Sequence, residues 1–271
     1  MTFNSKKQLS QFLAEDVGKG DITSNLLPKK RILVKIISRE NAILAGVTYA
    51  KEIFKLKGCN CKILKKDGTK IKPNQTIMII TGNAGNILTC ERTALNLLTR
   101  MSGIATQTNS LVKKIPKKTK LYATRKTAPG LRHFDKEAVE IGGGEKHRLT
   151  LDEMVMIKDN HIAVGDSLSS LIKKTKKKYK KFEVEVENTA DAVLAAKEGA
   201  TIIMLDNFTP AQIKKTIQTL KNMKLRNKVM LEASGGITSK NISKYGQTGV
   251  DIISVGSITN SVKGIDMSLE I

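Results

Sequence analysis

Beyond residue 120 the chain repeats one pattern six times: a short aliphatic run, a polar or glycine-containing break, then a stretch of helical spacing. The runs fall near residues 121–123, 154–157, 182–186, 201–205, 229–231 and 251–255. Intervals of roughly 20 to 35 residues leave room for one helix between successive strands, which suits right-handed crossovers and a parallel sheet, open or closed into a barrel. All strands then end on one rim, where α/β folds keep their active sites.

Read in order, the strand ends present Arg125 and Lys126, Lys158, Glu185 and Glu187, Asp206 and Asn207, Glu232 with Ser234-Gly235-Gly236, and Gly256 with Ser257. Any loop is polar, but charge or glycine at six successive strand ends describes a catalytic mouth. Glu183, Glu185 and Glu187 alternate with Val184 and Val186, so two-residue periodicity sends all three carboxylates to one face. In a sheet covered on both faces they need cations or sugar hydroxyls as partners. Glu187, nearest the strand end, is the expected ligand contact, with Glu185 behind it. The glycines of Ser234-Gly235-Gly236 and Val255-Gly256-Ser257 let backbone N–H groups approach an anion, and a following helix N-terminus favours phosphate there. Gly142-Gly143-Gly144 reads as a helix end and loop, but it continues into His147-Arg148. An arginine fork and a histidine N–H suit a small di-acid. His161, a lone histidine, reads as structural.

The first half is organised differently. β-rich runs at 32–37, 61–64 and 76–80 surround a helix expected over 48–56, with Asp67-Gly68 as a turn, giving a small α+β domain. Residues 86–113 carry apolar side chains at helical spacing and predict a long connecting helix interrupted near Gly103.

The formal charge of +22 favours anionic partners. Seven of the nine residues from Lys173 to Lys181 are lysine, a run that reads as the solvent side and exit of a helix rather than a nucleic-acid surface, because no tryptophan and few aromatics accompany it. Cys59, Cys61 and Cys90 are too few and too far from the histidines to make a disulfide framework or a zinc site, and they fit packing in a reducing compartment. No segment reaches the ~20 apolar residues of a membrane span, and the start is too polar for a signal peptide, so a cytoplasmic protein is expected.

Several segments together resemble quinolinate phosphoribosyltransferase, also called carboxylating nicotinate-nucleotide pyrophosphorylase. They are Ala123-Thr124-Arg125-Lys126-Thr127-Ala128-Pro129-Gly130, Gly142-Gly143-Gly144-Glu145-Lys146-His147-Arg148, Ile157-Lys158-Asp159-Asn160-His161, Glu183-Val184-Glu185-Val186-Glu187-Asn188, Met204-Leu205-Asp206-Asn207 and Glu232-Ala233-Ser234-Gly235-Gly236-Ile237. Glu15-Asp16-Val17-Gly18-Lys19-Gly20-Asp21-Ile22-Thr23 and Glu91-Arg92-Thr93-Ala94-Leu95-Asn96 extend the match into the first half. The resemblance implies a type II phosphoribosyltransferase fold: an N-terminal open-faced α/β sandwich with its connecting helix over 1–104, an incomplete α/β barrel over 105–258, and a segment, 259–271, that returns to the first domain.

By the same resemblance, Arg125, Lys126, His147 and Arg148 surround the two carboxylates of quinolinate, joined by Arg92 from a neighbouring subunit of a dimer or of a larger assembly such as a hexamer of dimers. Lys126 and Lys158 also face the pyrophosphate of phosphoribosyl pyrophosphate. Glu187 and Asp206 meet the ribose hydroxyls and substrate-linked Mg²⁺, and Thr124, Ser234, Gly235, Gly236, Gly256 and Ser257 complete the substrate-binding set. The implied catalytic residues are Lys126, Lys158, Glu187 and Asp206, with no organic cofactor, nucleic acid or membrane involved. Two other readings stay open on sequence grounds: a relative of the same fold acting on a different acceptor, such as the molybdenum-associated members, and a basic nucleic-acid-binding protein.

Overall fold

The computed structural model describes residues 4–165 and 167–271. Along the chain, α1 (Ser5–Val17) precedes β1 (Arg31–Ser38), β2 (Ala42–Ile43), α2 (Val47–Leu56), β3 (Asn60–Ile63), β4 (Lys70–Ile71), β5 (Thr76–Asn83) and α3 (Ala84–Val112). Next come β6 (Lys120–Ala123), α4 (Arg132–Ile141), β7 (Val155–Ile157), α5 (Asp159–Val164), α6 (Leu168–Lys178), β8 (Phe182–Val186), α7 (Thr189–Glu198), β9 (Ile202–Asp206) and α8 (Pro210–Asn222). The chain closes with β10 (Met230–Ser234), α9 (Ile242–Gly246), β11 (Ile252–Val255), α10 (Ser257–Asn260) and β12 (Met267–Glu270).

These elements form two compact units: Met1–Asn109 with Glu137–Gly143 and Val262–Ile271, and Ser110–Lys136 with Gly144–Ser261. The first holds an antiparallel sheet in the order β12-β1-β5-β3. Its final strand comes from the end of the chain and pairs with β1, Lys35 opposite Glu270 and Ser38 opposite Met267. Val34, Ile36 and Ile80 on the sheet and Ile53 and Phe54 on α2 are fully buried, as their apolar spacing requires. The cysteines are free, with Cys59 and Cys90 buried in this unit. Burial pushes the Cys90 thiol up to about 12, so it behaves as an apolar filler.

The break expected near Gly103 does not occur, since α3 runs without interruption from Ala84 to Val112. The glycine marks a close approach instead. A Cβ at Gly103 would stand 2.2 Å from the carbonyl oxygen of Lys263, closer than any side chain permits.

The second unit is a parallel sheet in the order β6-β11-β10-β9-β8-β7. β6 and β7 lie at its two edges, so the sheet has six strands and is open. Val184, Ile203, Leu231 and Ile253 on its inner strands are fully buried, consistent with a parallel sheet covered on both faces. Register stacks the strands in levels: Glu185 is opposite Met204, which is opposite Glu232, and one level nearer the strand ends Asp206 is opposite Ser234. The lysines from 173 to 181 are exposed, on the last turns of α6 and beyond it, where cations complement the helix C-terminus.

Candidate active site

The carboxyl ends of the parallel strands enclose a cavity of about 340 Å³ within the second unit. Of the residues singled out from sequence, Thr124, Arg125, Lys126, His147, Arg148, Lys158, Asp206 and Ser234 line it. Gly235, Gly236, Gly256 and Ser257 lie outside the lining. Arg92, exposed on α3, belongs to the first unit and is also outside it.

The two glutamates are placed differently. Glu185 lines the cavity and pairs with Lys158, whereas Glu187 is exposed and outside the lining. Alternation along β8 correctly puts Glu183 and Glu185 on one face. It fails at Glu187 because the strand ends at Val186 and the chain turns toward Asn188, the N-cap of α7.

Short loops hold each cation. The Lys126 N–H donates to Thr124 Oγ1 at 3.1 Å, and the Lys126 carbonyl accepts from Thr259 Oγ1 at 2.9 Å, fixing the turn after β6. The Lys158 N–H donates to His161 Nδ1 at 3.0 Å, which gives His161 the structural role read from sequence. Arg148 is only 9% exposed and spends two donors on the Met154 carbonyl, 3.0 Å, and Met156 Sδ, 3.2 Å. Arg125 Nε is buried with no hydrogen-bond partner among the described residues. A buried, unsatisfied guanidinium donor is costly, and an incoming carboxylate would satisfy it.

Gly235 has φ +85°, and a Cβ there would lie 2.2 Å from Asn207 Oδ1. This lets the loop after β10 close on the loop after β9, where Asn207, itself at φ 56°, donates its side-chain amide to Asp206 Oδ2 at 2.7 Å. The glycine therefore supports the placement of Asp206.

Below the rim lies a cluster that sequence reading did not assemble. His147 Nε2 is 3.0 Å from Glu183 Oε2 and 3.9 Å from Glu232 Oε2, and the Tyr122 ring packs edge-on to the imidazole at 5.4 Å. Glu183 Oε1 and both Glu232 oxygens are buried without a hydrogen-bond partner among the described residues. Burial, reinforced by Glu183, pushes Glu232 up to about 8. Burial also lifts Glu183 to about 7 against the pull of Arg148 and Lys158, and it lowers His147. The cluster consequently favours uncharged forms around neutrality. Its ligand atoms lie within 4.8 Å of one another, a separation that a metal ion could bridge, but the cationic neighbours Arg148 and Lys158 oppose a further divalent charge. The same cations also oppose a proton retained on the carboxyls, but there burial outweighs them.

Arg125, Lys126, Arg148 and Lys158 share the cavity with three carboxyl groups, those of Glu185, Asp206 and Glu232, and burial makes the last of these resist ionisation. Fold and cavity together define an α/β enzyme with a cation-rich cavity at the ends of a parallel sheet. Residues 21–102 match the family model for the N-terminal domain of quinolinate phosphoribosyl transferase, and residues 104–270 match that for its C-terminal domain. The chain belongs to the quinolinate phosphoribosyltransferase family.

It is 44% identical over 255 residues to a probable carboxylating nicotinate-nucleotide pyrophosphorylase of Archaeoglobus fulgidus, covering 93% of this chain and 98% of the relative. It is 38% identical over 273 residues to a Bacillus subtilis protein of the same description, covering 98% and 93%. The solved nicotinate-nucleotide pyrophosphorylase of Francisella tularensis superposes with a TM-score of 0.91 at 40% identity, covering 98% of this chain and 95% of that one. No helix among the described residues is long and apolar enough to cross a membrane.

Proposed function

We propose that this cavity joins quinolinate to phosphoribosyl pyrophosphate, releasing pyrophosphate and CO₂ and leaving nicotinate mononucleotide, the carboxylating step of NAD biosynthesis. The observation that carries the reading is the convergence of Arg125, Lys126, Arg148 and Lys158 on one cavity, with the Arg125 Nε donor unsatisfied. Such a surplus of fixed cations suits a dicarboxylate beside a pyrophosphate.

Arg125, His147 and Arg148 hold the quinolinate carboxylates and aim the pyridine nitrogen at the anomeric carbon. Lys126 and Lys158 face the pyrophosphate. As the C1–oxygen bond lengthens, positive charge grows on the ribose and negative charge on the leaving group, so these lysines stabilise the transition state more than the ground state. Glu185, in place of Glu187, and Asp206 take the ribose hydroxyls. Their carboxylate oxygens are also hard donors that fit Mg²⁺ brought in with the substrate, which would neutralise charge on the pyrophosphate. Once the ring nitrogen is alkylated, its positive charge stabilises the electron pair left on the adjacent carbon as CO₂ departs, and a proton from water then forms the C–H bond of the product.

Assembly into at least a dimer, with Arg92 supplied to a neighbouring copy's cavity, completes the reading, as does a cytoplasmic location. Incubation of the protein with Mg²⁺, phosphoribosyl pyrophosphate and either quinolinate or nicotinate tests it. Nicotinate mononucleotide and CO₂ from quinolinate alone support the assignment. A folded oligomer that makes no product overturns it and redirects the search to another acceptor.

The different placement of the two glutamates gives a sharper expectation. Glu185→Ala should raise the KM for phosphoribosyl pyrophosphate and lower kcat by about tenfold or more, on the scale of one lost charged hydrogen bond, while Glu187→Ala stays within about twofold of wild type. Steady-state kinetics of the two variants in parallel reads this directly, and the reverse ranking would restore Glu187 to the site.

A further inference from the structure

Lys136 lies inside α4 and is fully buried, an unusual place for a lysine. Among the described residues no carboxylate stands within ion-pair distance of it. Instead its ammonium donates to the carbonyl oxygens of Lys146 and Arg148. Those two carbonyls bracket His147, whose φ of 51° puts a non-glycine residue in the left-handed region. Arg132, one turn earlier on the same face of α4, donates to the Leu149 carbonyl at 3.2 Å and to Thr127 Oγ1 at 3.3 Å. One helix face therefore clasps the segment carrying His147 and Arg148 through three of its backbone carbonyls.

The arrangement is expensive for the fold. Burial pulls the Lys136 ammonium down to about 8, with Arg132, Arg125 and Arg148 adding repulsion and Glu153 partly opposing it. An apolar side chain would avoid that cost but would leave the carbonyls flanking the strained residue without their donor.

We propose that Lys136 is a positioning residue for the acceptor half of the site: by tying the Lys146 and Arg148 carbonyls together it holds the left-handed turn that presents His147 and Arg148 to quinolinate. The inference rests on the reading of the cavity given above. Lys136 itself reaches substrate only through that backbone, so its loss should loosen one substrate and spare the other. Lys158 directly follows β7, and Glu185 and Asp206 stand on β8 and β9, outside this clasp.

The test is Lys136→Met, which keeps the length of the stem and removes the donors, assayed beside wild type for both substrates. The KM for quinolinate should rise about tenfold or more, as expected when binding groups are misplaced by a fraction of a bond length, with the KM for phosphoribosyl pyrophosphate within about twofold. Arg148→Ala should then cost much less in the Lys136→Met background than in wild type, because the two changes damage the same contact. An equal rise for both substrates, additive losses in the double variant, or an unchanged quinolinate KM would each overturn the proposal. If the Met variant does not fold, Lys136→Leu, which also removes the donors, takes its place with the same expected results, and failure of both to fold would overturn the proposal by making Lys136 a requirement of folding rather than of the site. Absence of product from wild-type protein would instead reject the underlying reaction, so the two failures are distinguishable.

Discussion

Lys158→Met should lower kcat by about two to three orders of magnitude, the range seen when one preorganised donor to a developing anion is removed. The lysine is held from both ends. Its backbone N–H is fixed by His161 at the start of α5, and its ammonium is paired with Glu185 inside the cavity. A cation held this way needs little reorganisation when the pyrophosphate oxygen takes up charge. In the resting site Glu185 shares that cation, so the ground state gains less from it than the transition state does. Methionine keeps the stem and most of the volume, which confines the change to charge. Single-turnover measurements at saturating substrates, with a melting curve to establish that the variant is folded, give the comparison. A kcat within threefold of wild type would remove Lys158 from the chemistry and leave Lys126 as the cation on the leaving group.

Much of this site is visible in the sequence because it is built from strand ends. An aliphatic run over 182–186 needs no tertiary information to be read as a strand, and β8 spans Phe182–Val186. The residues after such runs are then the rim. Periodicity, however, does not state where a strand stops. Glu187 continues the alternation of Glu183 and Glu185 in sequence but not in space, since the backbone has left the sheet by then. Glycine is ambiguous in the same way: Gly103 looked like a break in a helix and is a point of contact with the Lys263 carbonyl.

The interior cluster was less legible still. His147, Glu183 and Glu232 come from a loop and two non-adjacent strands, and only the register through β9 brings the carboxylates to one imidazole. Lys136 was invisible for another reason, because its partners are backbone carbonyls ten and twelve residues along the chain. No pattern of side-chain types encodes them.

Glu232→Gln should flatten the dependence of stability on pH between about 6.5 and 8 and stabilise the protein at the upper end by an amount on the order of a few kcal/mol. Glu232 is wholly buried, and its folded-state value of about 8 stands far above the ordinary 4.5, as does that of Glu183 at about 7. Between 4.5 and those values the folded chain keeps protons that the unfolded chain has released. Stability conferred by the protonated carboxyls is therefore complete below 4.5 and is lost as pH rises toward 8. His147, lowered from 6.5 by burial, acts on the other side: below 6.5 the unfolded chain takes up a proton that the folded site resists, so stability also falls as the solution is acidified. Lys136, at about 8 instead of 10.5, begins to push stability upward as pH nears 8 and does so mainly between 8 and 10.5, so it offsets only a small part of the loss within the window. The carboxyls thus dominate from 6.5 to 8, and the isosteric amide removes the larger of their two shifts without altering shape. Urea denaturation of wild type and variant at pH 6.5 and 8 measures the difference. Profiles that fall in parallel would mean that Glu232 is already ionised in the folded protein, with an internal partner or an ion compensating its charge, and the account of the cluster as uncharged through burial would have to be abandoned.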